Sequence, residues 1–497
     1  MTAKSDQPNV HGRLSNFANR KLLIALFCAG FSTFAQLYAP QALLPQLTTA
    51  WGITFGQAGL VVSMGTIGLA IGVIPWVLVA SRIGTVRAMR AAVVVGTVCT
   101  LLTSVAPGYE WVLALRFLTG LAVGAVPALA LAHLNTRLPP NSAVKAAGVY
   151  IAGNSLGGLV GRIMAGAIAS TLGWQLGLLM ASGTAAVAAL GFLMLIPNEK
   201  TGMQRSQTQP QTQSQTRAEA PSKLRWAQPF LANLRSPAQL KIFTQGFLIM
   251  GAFVTIYNYM GYRLQEDPFY LPPIITTAVF AVYLFGTFAS IYATALVTRF
   301  GRSWVLSGTG ILVGVGIVVT LLPYLAAQVG GLVLATMGFF AGQAIASGWA
   351  SSGMPVTGLE ATGAPEEPWE LEDLEHSQVR QRLDAIRPPT AISSPQSTDN
   401  FPRSQAGALY TLAYYTGGSV MGWLGGELFE AFGWPGTVGL VALLAATSAG
   451  LALTMGGDGD RSQSNEACLE IGAVTASESS GYGSIRCTVR SPHQEKP

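Results

Sequence analysis

Runs of twenty or more residues with scarcely a charge recur along most of this 497-residue chain. A helix needs roughly 20 apolar residues to cross about 30 Å of hydrocarbon, and a run of that kind has few other ways to satisfy water. The chain is 50% hydrophobic and only 10% charged, where a soluble protein carries about 25% charged residues. Too little polar surface remains to coat a water-soluble globule of this size. The runs are continuous, not alternating segments of about ten residues, so helices are expected in place of a barrel. Twelve spans are predicted: 22–46, 56–80, 88–107, 110–134, 143–170, 173–196, 240–262, 274–297, 303–324, 327–353, 404–430 and 434–455. The expected fold is an all-α polytopic membrane protein, multi-pass, with no cleaved leader.

Charge sets the expected orientation. Lys4, Arg13, Arg20 and Lys21 precede the first span, and Arg82, Arg87 and Arg90 follow the second. Arg137 and Lys145, then Lys200 to Arg235, then Arg299 and Arg302 fall on the same side. The opposite loops hold Arg263 beside Glu266 and Asp267 and little else that is positive. By the positive-inside rule both termini face the cytoplasm. The net charge of +6 is thus read as topology, and no nucleic-acid partner is expected.

Polar segments divide the chain into a cytoplasmic tail (1–21), a first bundle (22–196), a Gln/Ser-rich linker (197–239), a second bundle (240–455) with an insertion at about 354–402, and a polar tail (456–497). The linker and tail lack core-forming residues and read as disordered. Within the insertion, Leu371, Leu374, Val379, Leu383 and Ile386 recur near helical spacing. That segment is either a docking or regulatory helix or a solvated surface helix.

The bundles are copies. Tyr150, Gly157, Gly158, Gly166, Gly173 and Trp174 return 260 residues later as Tyr410, Gly417, Gly418, Gly426, Gly433 and Trp434. Earlier in the chain the offset is smaller: "SRIGTVR" from Ser81 pairs with "TRFGRSW" from Thr298 at 217, and Gly120 and Gly124 pair with Gly338 and Gly342 at 218. The register jumps where the insertion lies. Two parallel six-helix repeats imply a pseudo-two-fold axis along the membrane normal and a cavity near mid-membrane.

Twelve spans in two similar halves, a basic loop between spans two and three, and a glycine-rich span five resemble the major facilitator superfamily. "FAQLYAPQALLPQL", "RFLTGLAVGAVPALALAHL" and "VYIAGNSLGGLVGR" are similar to bacterial inner-membrane transporters of the YnfM type, in the drug and arabinose-efflux branch. The resemblance implies a secondary transporter working by alternating access, with efflux and proton antiport. It also implies a gating loop at Arg82, Gly84 and Arg87, repeated at Arg299, Gly301 and Arg302. Ser81 stands where the superfamily pattern has an acid, so these arginines are either a latch or topology charges. Arg116 matches the span-four arginine that the resemblance links to proton coupling.

No catalytic or metal constellation is apparent: His11, His133, His376 and His493 are scattered, as are four cysteines, and no phosphate-cradling string occurs. No enzyme activity, metal or cofactor is expected. Ionisable residues within spans are costly and mark function. Arg162 lies mid-span where its repeat counterpart is Gly422. It either binds an anionic group of the substrate or pairs with a neighbouring helix. Arg116, whose counterpart is Leu334, is likewise one-sided. Tyr38, Gln41, Asn154, Tyr257, Tyr410 and Tyr414 complete the candidate substrate-binding set, with Gln36, Asn258 and Tyr415 beside them; each either hydrogen-bonds a ligand or bridges helices. Glu427 is the coupling candidate with Arg116. The expected partners are a small-molecule substrate, the lipid bilayer and a coupling proton, acting on a monomer in the bacterial inner membrane. A competing reading is a transporter-derived sensor or scaffold that signals through the insertion and tail.

Overall fold

The computed structural model describes residues 10–138, 140–197, 233–352 and 400–455. Most of the expected linker (to residue 232), the acidic insertion with its amphipathic segment (to residue 399) and the C-terminal tail lie outside the described residues. Among the described residues, eleven helices are long and apolar enough to cross a membrane. They are α1 (Arg20–Trp51), α2 (Phe55–Ile83), α3 (Thr85–Thr103), α4 (Tyr109–Leu134), α5 (Ala146–Leu172), α6 (Trp174–Leu195), α7 (Pro237–Gln265), α8 (Pro273–Phe300), α9 (Arg302–Val319), α10 (Leu325–Ala350) and α11 (Ala406–Leu453).

The count is eleven where twelve spans were expected, because the last helical run is continuous. At 48 residues and 1.5 Å per residue, a straight α11 would be about 70 Å long, more than twice the hydrocarbon thickness. It is not straight: Gly433 sits at φ 62°, ψ −155°, and a Cβ on Gly436 would collide with the carbonyl of Leu428. The chain therefore folds back within a residue or two, and no loop separates the limbs.

That turn has a counterpart. Gly173, 260 residues earlier, joins α5 to α6 at φ 87°, and Gly84 and Gly301, 217 apart, join α2 to α3 and α8 to α9 at φ 96° and 82°. Positive φ is nearly free for glycine and costly for other residues, so these one-residue turns explain why the repeated loops retain it. Helix bounds repeat as well. Shifted by 217 or 218, α1 to α4 fall within three residues of α7 to α10, and shifted by 260, α5 and α6 fall on the two limbs of α11.

Packing follows the same repeat. A Cβ at Gly157 in α5 would collide with the Phe31 carbonyl of α1, and one at Gly417 in α11 with the Phe247 carbonyl of α7. Small residues there let helix backbones touch, which in lipid is a main source of helix association. The pairs α1/α5 and α7/α11 are thus built alike.

The halves meet at the end of the bundle away from Arg20 and Leu453. Phe55 at the start of α2 packs against Tyr262 and Phe429, with ring centroids 4.8 Å from each. Its backbone N–H donates to Glu430 at 3.2 Å. Thr48 and Tyr262 share a hydrogen bond of 2.6 Å. Further in, Ser63 donates to the Ser419 carbonyl at 2.8 Å, and the Thr66 and Ser419 hydroxyls lie 2.7 Å apart. The loop arginines at the termini end are mostly free in water. Arg82, Arg87 and Arg299 are exposed, Arg299 lies 5.3 Å from the Phe300 ring centroid, and half-buried Arg302 lies 6.0 Å from that of Trp349.

Candidate substrate site

The site begins with a flaw in α1. Pro40 has no N–H, so the carbonyl of Gln36 loses its helical partner four residues on, and the chain tightens into a 3₁₀ turn over Ala39–Leu43. A buried carbonyl without a donor costs about 1–3 kcal/mol. Arg116 of α4 supplies the donors: Nη1 to the Gln36 carbonyl at 2.8 Å, Nη2 to that of Leu37, and Nε to that of Val61 in α2 at 3.2 Å. Its side chain is 0% exposed. Arg116, expected in the substrate site, has its donors engaged by carbonyls of α1 and α2.

The broken helix presents Tyr38 and Gln41 to the centre. Gln41 Nε2 donates to Asn258 Oδ1 at 2.7 Å, and these two residues are 217 apart, the offset of the repeat. Under a two-fold rotation only groups close to the axis can touch their own counterparts. The pseudo-two-fold axis therefore runs through this hydrogen bond, at the boundary of the two halves.

Arg162 of α5 joins the pair on one side. Its Nε donates to Gln41 Oε1 at 2.7 Å, and its Nη1 to the Gly158 carbonyl at 2.7 Å. Three rings surround the guanidinium: Tyr38 at 4.3 Å, Tyr283 at 4.8 Å and Phe280 at 5.4 Å to their centroids. Arg162 has no carboxylate partner among the described residues, and it is 2% exposed. Tyr257 stacks on Phe280, lies 4.7 Å from Tyr283 and shares a 2.7 Å hydrogen bond with Thr336. A narrow cleft of about 20 Å³, room for about one water, lies beside Gln41, Tyr257, Thr276, Thr277 and Phe280.

Tyr38, Gln41, Arg162 and Tyr257 are thus brought together, with Asn258. Tyr414 stands at the edge of this group, within electrostatic reach of Tyr38 and Tyr283, and the other expected residues lie further out. Tyr410 is buried and donates to Gln343 at 2.8 Å. Tyr414, half-buried, lies beside it and beside Tyr415, at 6.0 and 5.0 Å between ring centroids. Asn154 faces Gly30 of α1, where a Cβ would meet its Oδ1. Gln36 turns its amide into the first half, to Ser32 and Thr97. Glu427 is exposed at the far end, against Gly56 in the first turn of α2. Sequence reasoning missed Phe280, Tyr283 and Thr336: aromatic and hydroxyl residues inside an apolar run look like packing. The signal that could have found them is the repeat itself, since Phe280 and Tyr283 stand opposite Ser63 and Thr66 at an offset of 217.

The profile of the Major Facilitator Superfamily matches residues 22–363. The chain belongs to that superfamily. This member is 30% identical to the inner membrane transport protein YnfM of Escherichia coli (strain K12) over 442 residues, which cover 88% of this chain and 91% of that one. It is 27% identical over 428 residues to the uncharacterized MFS-type transporter YybF of Bacillus subtilis (strain 168), covering 86% and 91%. Among solved structures it resembles the nucleoside transporter NupG (TM-score 0.57, 14% identity, 88% of this chain and 98% of that one). It also resembles a bacterial homolog of the human lysosomal transporter Spinster in an inward-facing, unoccupied conformation (TM-score 0.56, 15% identity, 88% and 94%). At such identities the structural likenesses speak to the fold. The protein is a multi-pass membrane transporter of the major facilitator kind.

Proposed function

We propose that this transporter carries a small organic anion across the bacterial inner membrane as a monomer, by alternating access, its halves rocking about the axis at Gln41 and Asn258. One observation carries the reading. A buried guanidinium without a counter-ion is held beside the axis, at the level where the halves meet. An unpaired buried charge is expensive, and a bound anion removes that expense once per cycle. With the termini in the cytoplasm, the contacts at the far end close the outer side of the seam. No nucleotide-cradling string is present in the sequence, which favours a gradient as the energy source.

Export in exchange for protons is the finer reading. It is supported by the resemblance to efflux members and by Glu427 and Glu430 beside the first turn of α2. A helix N-terminus favours negative charge, so these carboxylates support the closure there, and Glu427 is the coupling candidate. In this reading Arg116 is a positioning residue, because its donors are engaged by carbonyls.

The experiment is a cross-link between the halves. The Thr66 and Ser419 hydroxyls are 2.7 Å apart, close enough for the sulfurs of Thr66→Cys/Ser419→Cys to bond with little backbone movement. Oxidised protein in proteoliposomes should lose solute exchange and recover it on reduction. Exchange that survives a complete cross-link would rule out rocking at this seam.

A further inference from the structure

Resting on the transporter reading above, we propose that the Arg162 site takes a planar aromatic carboxylate, a benzoate-like monoanion. Charge, edge geometry and wall chemistry each lead there.

Charge comes first. Among residues buried in the described spans, Arg116 and Arg162 carry the only guanidinium groups, and Arg116 is engaged by three carbonyls. The acids within the described spans, Glu110, Glu427 and Glu430, lie towards the end where the halves meet, and none pairs with Arg162 among the described residues. One positive charge is therefore left for the ligand, which matches a single negative charge. A dianion would bring a second charge with nothing buried to meet it.

The edge of the guanidinium sets the shape. Tyr38 and Tyr283, with Phe280, occupy its surroundings at ring-stacking distance, so the ligand approaches in the guanidinium plane. Nε is taken by Gln41 and one Nη1 proton by Gly158, while Nη2 has no hydrogen-bond partner among the described residues. The Nη1/Nη2 edge remains, and a carboxylate fits that fork with two parallel hydrogen bonds. An ammonium or a neutral amide does not.

The walls select the body. Tyr257, Phe280 and Tyr283 form a mutually packed aromatic group, continued by Phe253 and Phe339 with centroids 3.5 Å apart. A flat ring gains from offset or edge-to-face contact with such walls. The Tyr283 hydroxyl is buried and has no hydrogen-bond partner among the described residues. Leaving it so costs stability, which suits a group that donates to a ligand oxygen. A polyhydroxylated solute would need many free polar side chains, whereas Gln41 and Tyr257 already spend theirs on Arg162, Asn258 and Thr336.

The test is equilibrium binding to the purified full-length protein in detergent with four probes: benzoate, benzamide, cyclohexanecarboxylate and acetate. Benzoate should bind at least about tenfold tighter than benzamide, which keeps the ring and loses the charge, and several-fold tighter than cyclohexanecarboxylate, which keeps the charge and loses the flat ring. Arg162→Lys, which retains charge without the fork, should weaken benzoate by about tenfold or more. Tyr283→Phe should weaken it by a few-fold, and it carries the residue test should the arginine variant fail to fold. Equal affinity for benzoate and benzamide, or for benzoate and cyclohexanecarboxylate, or no binding of benzoate, would overturn the proposal. So would benzoate affinity unchanged in a folded variant. Counterflow of labelled benzoate into proteoliposomes separates the two readings. Binding without exchange sinks the transport reading and keeps the site. Exchange of a neutral or cationic solute without benzoate binding does the reverse.

Discussion

Two seams join the halves of this protein, and the repeat makes them equivalent. One runs between α2 and α11, where Ser63 and Thr66 face Ser419 and Gly422. The other runs between α8 and α5, where the counterpart positions hold Phe280 and Tyr283 on one helix and Leu159 and Arg162 on the other. The first seam is small and hydroxylated, and hydrogen bonds at 2.7 and 2.8 Å hold it shut. A Cβ on Gly422 would already stand 2.8 Å from Val254 Cγ1 and 3.2 Å from Asn258 Nδ2, so no arginine fits there. At the second seam large rings surround a cation and leave a tyrosine hydroxyl without a partner. Duplication kept the backbone packing and let the side chains diverge, one seam towards closure and one towards recognition.

The strongest way to break this comparison is to attack what the halves share. Gly157→Leu and Gly417→Leu each force a side chain into a facing helix backbone, and overpacking of that kind costs about 1–3 kcal/mol or more. Both variants should lose folded, monodisperse protein to a similar degree. A variant that behaves like wild type in one half alone would show that the packing is not duplicated.

Next is the one-sided arginine whose donors are engaged by backbone carbonyls. Arg116→Leu, which installs the residue of its counterpart Leu334, strands the carbonyls of Gln36 and Leu37 and should cost about 2 kcal/mol or more. Adding Pro40→Ala returns an N–H to the Gln36 carbonyl and should recover about 1 kcal/mol of that loss. Thermal denaturation of the single and double variants measures the coupling. Purely additive effects would detach Arg116 from the helix break.

The finest comparison removes matched hydroxyls. Thr66→Val deletes a hydrogen bond of the closing seam and should lower stability by about 1 kcal/mol. Tyr283→Phe deletes a buried hydroxyl with no protein partner, so it should leave stability unchanged or slightly raised while weakening ligand. Opposite signs of the two effects, read from melting temperatures, are what separates a closing residue from a recognising one.

Much of this fold is legible without coordinates, because lipid leaves few options. Long apolar runs give the spans, and glycines repeated at fixed offsets give the duplication down to the one-residue turns at Gly84 and Gly301. The boundary inside α11 is less plain as a helix count, since a turn made by Gly433 alone leaves no polar loop. At the site, Arg162, Gln41, Tyr38 and Tyr257 stand out as polar groups in apolar surroundings. Arg116 stands out for the same reason, and its use for orphaned carbonyls depends on Pro40, seventy-six positions away and adjacent only once α1 and α4 are packed. Tyr283 and Phe280 are silent in a run of similar residues until the repeat shows that their counterparts are Thr66 and Ser63.

Cysteine accessibility at the two matched positions tests this division most directly. Thr66→Cys and Tyr283→Cys would be placed singly in proteoliposomes and exposed to a membrane-permeant maleimide, with and without saturating benzoate. The cysteine at 283 should label and be protected by benzoate, while the one at 66, sealed between α2 and α11, should label slowly and gain no protection. Equal labelling at both positions, or protection at 66 and none at 283, would contradict the assignment of closure to one seam and recognition to the other.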